Sequence, residues 1–502
     1  MKKLTVLMLA GALVFSFAAC TSASSTANKN LSRISIDQAL QVFDNATTRG
    51  GFKVTGPVTG GKHGWAFGAY CGDIGELGYE PGYIEEEYFI EGTAQYYQPV
   101  GELAKDGKWT LEAVGAAPYK TRLIIRRPID PAKFNGTVIV EWANVSAGYE
   151  ISLMDNRGIY EEGFAYVAVS AQVNGLYGFE EKPQGLIPWD SERYGNLNIP
   201  NDGMSYDIFT QAARAVSQNR PHEGVDPMGG LEVKKLFALG ESQSGSRVLS
   251  YANGVQPIEK IFDALIIVAG AGRGTDFLNE MAHVKQGGKT KVRNVASRVR
   301  EDINGKVFVI NTQTESLFLG KLAQPDTDNI RSWQIAGASH SAPSFIEDIY
   351  HRLYRDGLIN ALPANSAYDT NVVDWSYAVE AALVQIQNWI DYGKEPPHIP
   401  AMQVVNMLFG YKTDKHGNAR GGVRLPELEV PIARYYVNIM KTGLGGHKIP
   451  FKEKEISNLY AAHQDYVDKV TAAARAAEKA GVILPYRAEQ YIREAAALSV
   501  AK

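Results

Sequence analysis

The stretch Leu236–Gly245, LFALGESQSG, decides how this chain is read. A short apolar run ends in Gly240-Glu241-Ser242-Gln243-Ser244-Gly245, a turn of small residues around a serine. A strand that stops in such a turn and passes into a helix presents the serine hydroxyl at the edge of a sheet. The turn is so tight that the residues two before and two after the serine must be small. Gly240 and Ser244 meet that demand, with Ser244 standing where glycine is usual. Ser246–Ala252 (SRVLSYA) continues as a helix, which puts Ser242 at a helix N-terminus. Unpaired N–H groups and a positive partial charge at that end suit a developing oxyanion. Over so short a pattern a Ser/Gly loop without chemistry reads the same, so the flanking strand and helix carry the inference.

Outward from this turn the chain alternates strands and helices. Thr137–Trp142 (TVIVEW) is continuous and β-branched, the pattern of a strand buried on both faces of a parallel sheet. A loop, Ala143–Glu150 (ANVSAGYE), leads into an expected helix over Ile151–Glu162, and Phe164–Ser170 (FAYVAVS) is the next strand. Downstream, Phe262–Ala269, Val307–Asn311 and Ser332–Ala336 read as further strands, and Ser205–Ser217 as an amphipathic helix. Upstream, Glu85–Tyr97 and Tyr119–Arg127 have β-prone composition, whereas Gly50–Tyr83 reads as loop. The sum is an α/β chain with a mostly parallel central sheet flanked by helices. Ala171–Pro200 is a long aromatic-bearing connection, and Ser341–Met402 is mainly helical, with a long helix over Asn371–Tyr392. Both are expected to cap the sheet. Thr413–Pro431 is turn-rich, and from Glu455 onward the chain is helical.

An activated serine needs a base within hydrogen-bond reach and a carboxylate to orient that base. Chains that carry this elbow present the three in the order serine, acid, histidine. His340 lies directly after the last strand, in Ala336-Gly337-Ala338-Ser339-His340, which is the expected place for the base. Glu315 follows the strand VFVIN closely and is held more firmly than a loop residue; Asp326 and Asp328 are the alternatives for the acid. An oxyanion hole would use the backbone N–H of Gln243 and one from the loop at Asn144 or Val145. Trp189 and Tyr194 are the candidate walls of an apolar pocket.

The 502 residues carry 45% hydrophobic and 21% charged side chains and a formal charge of −4, ordinary globular values without a long basic run. Nothing in them points to nucleic acid. Neither H-E-x-x-H nor a cysteine-rich ligand set is present, so no metal or cofactor is implied. Lys2 and Lys3 precede an apolar segment over Leu4–Ala19 that ends at Cys20, and a Ser/Thr/Ala/Asn-rich tether follows to about residue 33. The start resembles a bacterial lipoprotein signal over residues 1–19, with Cys20 as the lipidated first residue of the mature chain. It implies export and a lipid anchor in the cell envelope, with Thr21 resembling outer-membrane sorting. An ordinary secretory signal cut nearby is the alternative. With Cys20 modified only Cys71 remains, so no internal disulfide is available. Residues 34–502 form the expected folded domain, with caps near 171–200 and 341–402.

Taken together, YKTRLIIRRP, FNGTVIVEWANVS, SYDIFTQAARA, GESQSGSRVLSYANG, NTQTES, IAGASH and GNARGGVRLPELEVPIA resemble a bacterial branch of the α/β-hydrolase superfamily. The resemblance extends over roughly residues 85 to 490. It implies the α/β-hydrolase fold and the reaction class, hardly the substrate; the first hypothesis is a serine hydrolase acting on a small-molecule ester or related acyl bond through an acyl-enzyme. Ser242, His340 and Glu315 fall on the positions of that branch's triad, and a residue other than glycine at 244 is normal there. The second hypothesis is a surface-anchored binding protein on a hydrolase scaffold, since fold does not guarantee chemistry; a peptidase is a weaker third. The N-terminal reading is checked by mass: Cys20→Ser in the full-length chain, expressed in a Gram-negative host, should lose the lipid-sized mass increment and leave the detergent phase. Unchanged partitioning would refute lipidation at this residue.

Overall fold

The computed structural model describes residues 49–69, 82–221, 224–270, 272–277, 294–360, 371–406, 410–437 and 443–500. The N-terminal signal, the tether, Cys20, the short helix expected over Ile34–Phe43, and Cys71 lie outside these residues.

Nine strands form one sheet: β1 (Phe52–Thr55), β2 (Tyr83–Pro99), β3 (Leu111–Pro128), β4 (Thr137–Trp142), β5 (Ala165–Val169), β6 (Lys235–Glu241), β7 (Ala264–Val268), β8 (Lys306–Thr312) and β9 (Ile330–Ile335). Their order is β1-β2-β3-β5-β4-β6-β7-β8-β9. The six from β5 to β9 run parallel, while β1, β2 and β3 add an antiparallel edge. This is the α/β-hydrolase arrangement the sequence implied, with a mostly parallel sheet between helices.

Alternation of side chains explains why the parallel strands read as unbroken apolar runs. In β6, Leu236 and Ala238 enter one core and Phe237 and Leu239 the other. β8 does the same with Val307 and Val309 against Phe308 and Ile310. Successive residues of a strand point to opposite faces, so a sheet covered on both sides needs every position apolar. The first core is closed by Trp142, Tyr206, Phe209, Tyr251 and Phe262; the second by Phe308, Trp333, Trp375 and Val379. Phe308 and Trp333 meet edge to face with centroids 4.7 Å apart, a favoured geometry.

Chain order locates the functional edge. From β4 the chain moves outward to β5, then returns past β4 to β6 on its other side. The loops leaving β4 and β6 therefore diverge, and ligands bind at such a switch point, beyond the carboxyl ends of the strands. Ser242 lies directly after β6.

Several boundaries differ from the sequence reading. The helix expected over Ile151–Glu162 is only Arg157–Glu161. Ile151 instead pairs its backbone with Asn144, Met154 N–H is drawn to the buried Glu141 carboxylate, and Asn156 caps the shortened helix through Gly158 N–H. The long helix starts at Ser376 rather than Asn371, because Asp374 takes the Ser376 N–H and hydroxyl. β1 lies in a stretch read as loop, and β3 extends eight residues upstream of the expected Tyr119. The connection after β5 contains three short helices, Val173–Tyr177, Leu186–Trp189 and Ser191–Tyr194.

A buried ionic cluster joins the antiparallel edge to the cap. The Arg126 side chain is fully enclosed between Glu85 at 2.6 Å and Asp155, and Asp155 also takes a donor from Arg352 at 3.2 Å and from the Tyr160 hydroxyl. Removing one partner leaves a charge that neither water nor protein neutralises well. Asp155→Ala should therefore destabilise the fold by about 3 kcal/mol in denaturant unfolding. A loss below about 1 kcal/mol would show that Glu85 alone satisfies Arg126.

Candidate active site

The turn after β6 is built by close backbone approach. Ser242 has φ +57° and ψ −113°, in the left-handed region that non-glycine residues seldom adopt. Its N–H donates to Val268 O of β7 at 2.9 Å, and its own carbonyl accepts from Ser246 N–H at 3.0 Å. A Cβ at Gly240 would stand 2.6 Å from Ser244 O, and one at Gly245 would stand 2.6 Å from Val268 O. Both contacts are with backbone, so neither position accepts a side chain without separating strand and helix. Ser244, the departure from glycine, is fully buried and closes the turn. Its hydroxyl donates to Glu241 O at 2.9 Å and receives Glu241 N–H at 3.1 Å.

Ser242 Oγ lies 2.9 Å from His340 Nε2, and His340 Nδ1 lies 2.6 Å from Glu315 Oε1. His340 and Glu315 are buried while Ser242 is half-buried, so the chain of contacts runs from the interior to an accessible hydroxyl. Glu315 is held by a capping box at the start of the helix Gln313–Leu319: its Oε2 takes both the N–H and the hydroxyl of Thr312. One oxygen is thus committed to the helix end and the other is left to face the imidazole. The Thr312-Gln313-Thr314-Glu315 spacing was the sequence signal for this geometry, beyond mere proximity to a strand.

The histidine turn is supported from segments far away in sequence. Gly337 N–H donates to Gln313 Oε1 at 2.7 Å, Ser339 Oγ to Gly445 O at 3.0 Å, and Ser341 N–H to Leu444 O at 3.0 Å. Burial alone would lower the basicity of His340, but the charge and hydrogen bond of Glu315, with a further contribution from Glu241, hold its pKa at about 9.

The alternative acids are placed elsewhere. Asp326 and Asp328 precede β9 and so stand at the opposite end of the sheet from the elbow. Asp326 accepts Ser332 N–H at 2.8 Å and pairs with His398 at 2.8 Å and Arg331 at 3.2 Å. The Asp328 carbonyl receives Lys306 Nζ.

Of the backbone N–H groups expected to face the elbow, that of Asn144 is directed elsewhere. Gln243 opens the helix Gln243–Ser250, so its N–H is one of the donors a helix start leaves free. Asn144 N–H, by contrast, is consumed by Ile151 O at 3.0 Å; its side chain donates to Glu241 O at 3.0 Å and ties the β4 loop to the elbow. Val145 N–H points toward the elbow and donates to the Gln243 side-chain oxygen at 3.2 Å. That amide is held in turn by Gln172 Oε1 at 2.7 Å, which also accepts Trp142 Nε1–H at 3.0 Å.

The expected pocket walls are core and strut. Tyr194 is fully enclosed, donating to Glu87 at 2.8 Å and receiving Phe67 N–H at 3.0 Å. Trp189 stacks on His63 at 4.0 Å and donates to Asp356 O at 2.9 Å. Regularly spaced aromatics in a connection serve burial here, a distinction that spacing does not make.

A family model described as an alpha/beta hydrolase domain matches residues 54–493. The chain belongs to this family. Solved structures similar to it include esterase Est22, at 10% identity and a TM-score of 0.28, with 56% of this chain and 80% of that one covered. A serine hydrolase without lid from Xanthomonas campestris gives 14% identity and a TM-score of 0.26, with 54% and 97% covered. A glucuronoyl esterase from Solibacter usitatus gives 11% and 0.26, with 69% and 91% covered. Likenesses this remote carry no information about substrate. No curated protein matches the chain in sequence.

The sterics of the elbow give a test. Gly245→Ala should slow active-site labelling of Ser242 about 100-fold, because the new Cβ displaces the turn. Ser244→Ala should keep most labelling and cost about 1 kcal/mol of stability. Equal labelling rates in the two variants would contradict the close-approach account.

Proposed function

We propose that this protein is a serine hydrolase that cleaves a carboxylic ester or a related acyl bond through an acyl-enzyme. The observation that carries the reading is the continuous contact from Glu315 Oε1 through His340 to Ser242 Oγ, at 2.6 and 2.9 Å, ending on a serine held in the left-handed region. In this mechanism Ser242 Oγ attacks the carbonyl carbon and its proton passes to His340 Nε2. Glu315 fixes the imidazole tautomer from Nδ1 and stabilises the imidazolium. The carbonyl oxygen becomes an oxyanion held by Gln243 N–H and Val145 N–H, the second becoming available once the Gln243 side-chain amide moves off it. Collapse of this intermediate breaks the bond to the leaving group, which takes the proton from Nε2. A water then gives its proton to Nε2, attacks the acyl carbon, and the second collapse returns the proton to Ser242 Oγ.

The family's fold supports this reading, and so does the order serine, acid, histidine along the chain. On the same footing, Cys20 carries a lipid that anchors the domain at the cell envelope, where it would meet small ester-type substrates. Neither nucleic acid nor a cofactor has a part in the mechanism.

The test is labelling of the mature protein, without Cys20, by a fluorophosphonate probe, followed by peptide mapping. The expected result is a label on Ser242 that His340→Ala abolishes, together with a loss of about 10⁶-fold in ester turnover for a normally folded Ser242→Ala variant. Full turnover in Ser242→Ala, or no label on a folded wild-type sample, would overturn the assignment in favour of a ligand-binding role.

A further inference from the structure

His340 is faced by two carboxylates. Glu315 takes the Nδ1 side; on the other side Glu241 Oε1 stands 3.5 Å from Nε2, the nitrogen that also contacts Ser242 Oγ. Glu241 is the last residue of β6, and its side chain is only 5% exposed. Its backbone is fixed by three hydrogen bonds, from the Asn144 amide, from the Ser244 hydroxyl, and from its own N–H to that hydroxyl. The side chain is therefore aimed by the same turn that sets the nucleophile. Among the described residues no Arg or Lys pairs with it, whereas Glu87, Asp155 and Glu380 each have an arginine, and the equally enclosed Glu141 is held by the Tyr166 hydroxyl and Met154 N–H. A buried carboxylate is costly unless an opposite charge faces it. The charge available here is the imidazolium.

We propose that Glu241 is a second positioning residue of the site, a carboxylate that holds the imidazolium of His340 from its Nε2 side and thereby sets the pH at which the histidine becomes a free base. The proposal rests on the functional reading above for its catalytic meaning, while its electrostatic content stands on the 3.5 Å contact alone.

The physics runs in one direction. An opposite charge at this distance favours the protonated imidazole. Burial raises Glu241 to about 7, against the lowering effect of His340 and with Glu315 raising it further, so Glu241 loses its proton near neutrality. The charged groups facing the imidazole among the described residues are then Glu315, from the helix after β8, and Glu241, from the end of β6. Glu241 as an anion makes His340 a stronger base in attack, since the imidazolium that forms as Ser242 loses its proton is better stabilised. It also keeps the resting imidazole protonated to higher pH, so the rate should rise on the alkaline side of neutrality. Replacing the carboxylate by its amide retains shape and removes the charge.

The experiment compares wild type, Glu241→Gln and Glu241→Asp by two measurements. The first is the titration of the His340 ring by NMR on ¹³C-histidine-labelled protein, assigned with His340→Ala. The second is the pH dependence of fluorophosphonate labelling of Ser242. In Glu241→Gln the imidazole pKa should fall by about one unit or more. The rising limb of the labelling profile should move down by the same amount, with a slower plateau rate. Glu241→Asp, which keeps a charge, should lie between. An unmoved ring titration in a folded Glu241→Gln variant overturns the proposal. Should wild-type Ser242 fail to label at all, the hydrolase reading falls, and the ring titration alone still decides whether Glu241 holds the imidazolium.

Discussion

Everything at the site depends on one backbone approach, that of the helix start at Gly245 to the Val268 carbonyl of β7, with Gly240 against the Ser244 carbonyl. Each contact is closer than any Cβ would allow. The approach forces Ser242 to φ +57° and turns its hydroxyl out of the sheet toward His340. Without it the strand would run straight into the helix and the serine would be one more buried side chain. The strain is tolerated because the flanking strands are locked by parallel ladders on both sides and buried on both faces. A site on rigid elements holds its geometry better than one on loops.

The turn does more than place the Ser242 hydroxyl. Its first residues deliver Glu241 to the far side of the imidazole, its last present a free helix N-terminus, and its Gln243 side chain reaches Val145 on the neighbouring loop. Four placements are compressed into Glu241–Ser244, and each depends on the same backbone path. The opposing half of the site is assembled from three remote pieces. Thr312–Glu315 supplies the capped carboxylate, Ala336–His340 the imidazole, and the segment around Leu444–Gly445 the carbonyls that hold the histidine turn. The topology brings them together because β6, β7, β8 and β9 follow one another across the sheet, so the loops after β6, β8 and β9 open on one edge.

The differences between sequence and structure have a common cause. A backbone N–H is indifferent to the residue that carries it, so Asn144 and Val145 looked equivalent as oxyanion donors until the bridge to Ile151 consumed the first. Asp326 and Glu315 both follow or precede strands, and only the direction of β9 reveals that Asp326 faces the wrong end. Tyr194 and Trp189 sit in a connection whose length implied a cap; contacts with Glu87 and Phe67 make Tyr194 core, and Trp189, stacked on His63, packs half-buried against it. Glu241 drew no notice in the sequence, although a carboxylate at the end of an apolar strand is itself an anomaly that asks for a partner.

The sequence by itself determined the sheet and pointed to the turn at Ser242. Unbroken apolar runs such as TVIVEW admit one environment, buried on both faces. A serine between Gly240 and Gly245, at the end of such a run and ahead of a helix, fits a tight strand-to-helix turn. Both are local demands, set by side-chain size and polarity. The tertiary structure alone decided which acid meets His340, which N–H groups face the elbow, and that a second carboxylate faces the imidazole. These are questions of distance between segments up to about a hundred residues apart in the chain, as Ser242 and His340 are. Such distances follow from strand order and register, which no local pattern encodes.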